Sequence, residues 1–154
     1  MVRPIKWRKI EQTPVVPYFI PAQESDGSIV EIILKLEELE AIRLKDLEGM
    51  EQAECAQHME VSRPTFQRIL LSAREKIADS LIHGKVLRIE GGNFTKNICP
   101  ITCGKCGKQW NESIENVGSI RNGQCTCPSC GSKQIECHQK ENKKNCCKNC
   151  GKQK

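Results

Sequence analysis

Apolar positions recur at helical spacing through the middle of the chain. In Leu36–Leu47 (LEELEAIRLKDL), Leu36, Leu39, Ile42, Leu44 and Leu47 share one broad face, and Gly49 stands where such a helix would end. Gln52–Met59 predicts a second, shorter helix with Cys55, Ala56 and Met59 turned inward, followed by a turn at Glu60-Val61. Ser62 is a favourable N-cap for a third helix, and Pro64 falls in its first turn, where a missing N–H costs little. Phe66, Ile69, Leu70, Ala73, Ile77 and Leu81 form one stripe along that helix. Arg68 points away from the stripe, flanked on the outward side by Thr65, Gln67 and Ser72. Ile29–Leu34 (IVEIIL) and Val86–Ile89 (VLRI) read as short strands, while Pro4, Pro14, Pro17 and Pro21 argue against helix before them.

The pattern breaks at Gly91-Gly92. Residues 1–92 carry 13 basic and 15 acidic side chains; residues 93–154 carry 11 and 4. The overall charge of +5 thus hides an acidic part, net −2, and a basic one, net +7. Three segments follow: a basic, proline-rich arm with a short strand (1–34), a helical domain (35–92) and a cysteine-rich module with a polar tail (93–154). The arm places Arg3, Lys6, Arg8 and Lys9 around Trp7. No segment is long and apolar enough to span a bilayer, and no hydrophobic run follows the N-terminal charges. The expectation is a cytoplasmic protein with reduced thiols, in which clustered cysteines bind metal rather than form disulfides.

Eleven cysteines are present, and all but Cys55 lie in the last segment. Cys-x-x-Cys-Gly occurs at Cys103–Gly107, Cys127–Gly131 and Cys147–Gly151. The first two copies are separated by twenty residues, the spacing of paired zinc knuckles. Cys103, Cys106, Cys127 and Cys130 would supply four thiolates and leave no open position for water, so the site would be structural. Trp110 is the expected core residue of this module, with Ile114, Val117, Ile120 and Ile135 beside it. A second zinc site would draw on Cys137, His138, Cys147 and Cys150, with Cys99, Cys125 and Cys146 as further candidates. An iron–sulfur cluster is the rival occupant, although cluster proteins favour closer cysteine runs. A thioredoxin-like role lacks its βαβ context.

The helical domain suits DNA. A short helix, a tight turn and a longer helix with an exposed polar start form a helix-turn-helix. Arg63 and Arg68 can fork to guanine, and Gln67 can pair with adenine. Ser62, Thr65 and Arg74 can hold phosphates. The segment QAECAQHMEVSRPTFQRIL resembles the helix-turn-helix of sigma-factor region four. The wider set RPxKxRxI, PxxxYFxP, LEELEAIRLxDLEG, VSRPTFQRIL, SAREKIADSL and LRIEGG resembles a prokaryotic family of predicted DNA-binding proteins, domain of unknown function one-three-four, over residues 1–92. That resemblance implies a sigma-four-like reader of double-stranded DNA but no target. Two positions depart from the motif: Glu60 stands where the turn usually has glycine, and Glu51 where the middle helix usually has a serine cap.

The expected fold is therefore a mainly α helix-turn-helix domain with short flanking strands, plus a small zinc-ribbon-like β module. The expected function is transcriptional regulation without enzymatic activity, with one zinc ion and a second in reserve. Two other functions fit the same residues. The surplus cysteines would suit a metal- or redox-responsive switch on DNA binding. Both modules would also suit an adaptor docking on RNA polymerase or another transcription protein. One such helix reads few base pairs, so a homodimer would fit.

Overall fold

The structure, a computed structural model, describes residues 5–22, 30–116 and 126–137. The chain divides into two compact units, Arg8–Phe94 and a second made of Met1–Trp7 with Thr95–Lys154. The division falls just past the glycine pair.

In the first unit, β1 (Arg8–Lys9), β2 (Tyr18–Phe19) and β3 (Glu31–Leu34) precede the helices α1 (Leu36–Ile42), α2 (Gln52–His58) and α3 (Arg63–His83), and β4 (Val86–Ile89) closes the set. β4 is central: it pairs parallel with β3 and antiparallel with β2. Backbone bonds from Arg8 N to Asn93 O and from Lys9 N to Met59 O, both 2.9 Å, tie β1 down.

Two groups of apolar side chains hold the unit. Ala41, Leu44, Cys55, Ala56, Met59, Phe66 and Leu70 pack α1, α2 and the first half of α3 together. Leu34, Ala73 and Ile89 join the sheet to α3, with Leu36, Leu39 and Ile77 against them. The expected inward positions of α2 are all buried, and most of the α3 stripe is buried or half-buried.

Leu47 and Leu81 are corrections. Leu47 is 80% exposed because Arg43–Leu47 is a π-helical turn, closed by Glu48 N on Arg43 O at 2.9 Å. The wider i→i+5 ring carries Leu47 off the face that Leu44 occupies. Leu81 is 79% exposed because Ser80 takes the inward position at the end of α3. The Ser80 hydroxyl donates to Lys85 O at 2.8 Å, and Gly84 at φ 62° ends the helix.

Periodicity also missed three buried carboxylates. Glu38 is held by Lys76 Nζ at 2.7 Å, by the Ser72 hydroxyl at 2.8 Å and by its own helix's Lys35 N at 2.9 Å. Burial opposes its ionisation, yet these donors, led by Lys76, keep its carboxyl below the usual range. Ser72 is thus turned toward α1, not outward with Arg68. Glu40 accepts from Arg43 at 2.7 and 2.8 Å and from Glu11 N at 3.0 Å. Arg43 also pairs with Glu11 and Glu48, and Glu11 with His58. Glu37 accepts from Asn93 N at 3.3 Å and lies where a Cβ on Gly92 would collide with it, so that glycine sits at a close approach.

The turn between α2 and α3 places Glu60 at φ 53°, the left-handed region. A side chain there costs about 1 kcal/mol relative to glycine. The Lys9–Glu60 contact, 3.8 Å and exposed, offsets little of that. Glu60→Gly is expected to raise stability by about 0.5–1 kcal/mol in urea unfolding; an unchanged or lower midpoint would show that the strain is absorbed elsewhere.

A short β5 (Phe94–Thr95) lies at the division; in the second unit, β6 (Ile98–Cys103) is flanked by β7 (Gln109–Ser113) and β8 (Ile135–Cys137), both antiparallel to it. Its small core is Cys99 and Ile101 with Trp110, Ile114 and Ile135 packed on them. Trp110 sits directly opposite Ile101, which accounts for its place there. Val117 and Ile120 lie outside the described residues. No helix among the described residues is long and apolar enough to cross a membrane.

Candidate functional site

The two Cys-x-x-Cys-Gly segments fold alike. Cys103 N donates to Lys108 O and Gly107 N to Cys103 O, each at 2.9 Å; Cys127 N to Ser132 O and Gly131 N to Cys127 O repeat the pattern at the same length. Gly107 and Gly131 sit at φ 71° and 67°, left-handed positions that close each turn and that glycine occupies without strain. Gly104 N donates to Gln134 O at 2.8 Å and brings the segment after the second knuckle alongside the first.

The sulfurs of Cys103, Cys106, Cys127 and Cys130 lie within 4.8 Å of one another. Cys103 Sγ and Cys130 Sγ are 3.7 Å apart, Cys106 Sγ and Cys127 Sγ 3.6 Å. A tetrahedral ion with bonds of about 2.3 Å to sulfur sets sulfur–sulfur edges at about 3.8 Å. The cluster therefore fits one four-coordinate ion. A multi-iron cluster holds its thiolates on different irons and needs them further apart.

The backbone prepares the sulfurs for a cation. The Cys106 N–H, with that of Lys105, pulls the Cys103 thiol down to about 6. At Cys127 burial opposes ionisation, but the N–H groups of Cys130 and Ser129 outweigh it and lower the thiol. Ser129 N lies 3.4 Å from Cys127 Sγ. At Cys106 the Lys108 N–H favours the thiolate, yet burial and the sulfurs of Cys130, Cys127 and Cys103 together push it up to about 11. Four sulfurs this close cannot all ionise without a metal between them.

The other cysteines separate from this cluster. Cys99 is buried in the core between the strands, and Cys55 packs among Ala56, Met59 and Phe66, its thiol raised by burial. Cys137 is exposed on β8. Its suggested companions His138, Cys147 and Cys150 lie outside the described residues, as do Cys125 and Cys146.

The start of α3 is the second feature. The Ser62 hydroxyl caps the helix by accepting from Thr65 N at 3.3 Å, and lies 2.8 Å from the Thr65 hydroxyl. Arg63, Gln67 and Arg68 are exposed over the first two turns. Gln67 donates to Gln52 of α2 at 3.0 Å, a contact that no periodicity signals across fifteen residues. Elsewhere in the unit Lys9, Arg43, Arg74, Lys76, Lys85 and Arg88 each meet a carboxylate. Among the described residues Arg63 and Arg68 meet none. Arg74 is farther along the helix, its guanidinium forked onto Asp46 at 2.5 and 3.1 Å.

A family model described as "Protein of unknown function DUF134" matches residues 1–97. The chain is 52% identical over 137 residues to a UPF0251 protein of Caldicellulosiruptor saccharolyticus, covering 89% of each chain. It is 48% identical to a UPF0251 protein of Caldicellulosiruptor bescii over 95% of each, and 46% to one of Clostridium tetani over 91% of each. No solved structure matches the chain. The helical unit falls within the family model, and an alignment of 146 residues carries the kinship through the cysteine cluster as well. The chain belongs to the DUF134 family, whose relatives bear the name UPF0251.

Proposed function

We propose that the protein is a sequence-specific DNA-binding protein, a transcriptional regulator, in which α2, the turn and α3 act as a sigma-four-like helix-turn-helix. The observation that carries this reading is the pair Arg63 and Arg68, exposed at the start of a 21-residue helix and, among the described residues, without a carboxylate partner, whereas Lys9, Arg43, Arg74, Lys76, Lys85 and Arg88 each have one. Guanidinium groups exposed at a helix start match the acceptors of guanine or phosphate. With α3 in the major groove, Arg63, Gln67 and Arg68 face base edges. Ser62, Thr65 and the free N–H groups at the helix start face a phosphate. Arg74 is occupied by Asp46, so a phosphate would have to displace that partner.

The Cys103–Cys106–Cys127–Cys130 cluster is read as a structural zinc site in a ribbon-like module. Closed tetrahedral coordination by four sulfurs is zinc's structural mode.

Random-sequence selection with the metal-loaded protein tests DNA binding directly. On the site it yields, Arg68→Ala is expected to lose about 1–3 kcal/mol of discrimination at one base pair, roughly 5–150-fold, with folding unchanged. Equal affinity and base preference in the variant would remove Arg68 as a reader. Failure to enrich any sequence would remove the function.

A further inference from the structure

We propose that the knuckle end of the second unit is a separate nucleic-acid surface, where Lys105, Lys108 and Lys133 grip the phosphodiester backbone of duplex DNA without reading its sequence. The choice of duplex DNA as the polyanion rests on the reading of α3; the surface itself rests on its own geometry.

Lys105 lies inside the first knuckle, Lys108 at its close and Lys133 just after the second. The four clustered sulfurs and the Gly104 N bond to Gln134 O hold these segments side by side. All three lysines are exposed, and among the described residues none has a carboxylate partner. Residues 103–110 and 126–134 contain no acidic side chain. Of the unit's described carboxylates, Glu136 stands exposed opposite Thr102, beside the first knuckle, while the other two lie farther along the strands and are bound to neutral donors. Glu112 accepts from Ser113 N at 3.0 Å and Asn116 Nδ2 at 2.9 Å, and Glu115 from the Thr95 hydroxyl at 2.6 Å and Lys96 N at 3.2 Å. No ion pair among the described residues engages the lysines; their formal charge of +3 stands against −2 for a divalent ion on four thiolates and −1 for the exposed Glu136, within a segment, residues 93–154, whose net charge before metal binding is +7. Exposed ammonium groups on turns of small residues, in a segment of that net charge, fit a polyanion whose binding releases counterions.

The test uses the full, metal-loaded chain on a random-sequence duplex, with affinity followed against salt. Lys105→Gln, Lys108→Gln and Lys133→Gln combined, with metal content and circular dichroism as fold controls, should reduce the slope of log affinity on log salt by about 2–3. Binding at fixed low salt should weaken on the order of tenfold or more. Chelation of the wild-type chain should remove the same increment, because the knuckles that assemble the lysines come apart. An unchanged slope in the triple variant, or no duplex binding by the wild type, overturns the surface whatever α3 does. Binding to polyglutamate as tight as to duplex, and lost in the same variant, overturns the nucleic acid in favour of an acidic protein. A wild type with no sequence preference, whose salt slope still falls with the lysines, refutes the reading of α3 and upholds this surface.

Discussion

Removal of the metal is expected to unfold the second unit while the helices of Arg8–Phe94 persist. The reason is the size of what remains. The apolar core consists of Cys99 and Ile101 with Trp110, Ile114 and Ile135 packed on them. A core this small does not offset the ordering of its chain without an external staple. In zinc-finger peptides the structural ion supplies about 10–16 kcal/mol of apparent binding energy at neutral pH, and in such small modules that energy is the folding energy. Cys127→Ser should act like a chelator, since Cys127 is both a buried ligand and the acceptor of the Ser129 N–H. The chain's two tryptophans, Trp7 and Trp110, both belong to the second unit. Tryptophan emission should therefore shift on chelation, while the helical signal at 222 nm changes little. One equivalent of metal should restore it. Metal loss with unaltered tryptophan emission and amide dispersion would show that the strands hold without the ion.

Phe66→Ala is expected to cost about 3–5 kcal/mol, the range for deleting a fully buried aromatic ring. Phe66 has no exposed surface and is the largest of the fully buried side chains. It lies where α1, α2 and α3 meet, in contact with the group that includes Leu44, Cys55, Ala56 and Met59. Removing the ring leaves a cavity that three helices must collapse around. A small domain has about 5–15 kcal/mol in total, so the first unit should lose much of its stability. Urea unfolding followed at 222 nm measures the loss. A cost under about 1 kcal/mol would mean that the helices pack more loosely around position 66 than its burial indicates.

Much of this was legible in the residues because it depends on local rules. Ser62 capping, Gly49 as a stop and the inward side of α2 follow from spacing and from what each side chain can bond. The paired knuckles were legible because tetrahedral coordination demands four sulfurs in two tight turns. What stayed hidden depends on partners remote in sequence. Glu38 and Ser72 look like solvated positions until α3 brings Lys76 and Ser72 onto α1, and Glu40 looks so until the Glu11 N–H reaches it from the N-terminal arm. Leu47 looked buried because periodicity assumes an unbroken α-helix, and a single wider turn at Arg43–Leu47 shifts its phase. Ile10, fully buried among prolines and charges, has no periodic signal at all.

The order of the first unit's sheet also dictates an order of assembly. β2 and β3 each bond to β4 and not to each other. The strand that both need is the last one synthesised, with all three helices between it and β3. During translation, neither early strand has a neighbour until residue 89 has emerged. The helices can pack first, since their contacts are closer in sequence. The sheet then completes as a closing step, and β4 draws two waiting segments onto a core that already exists.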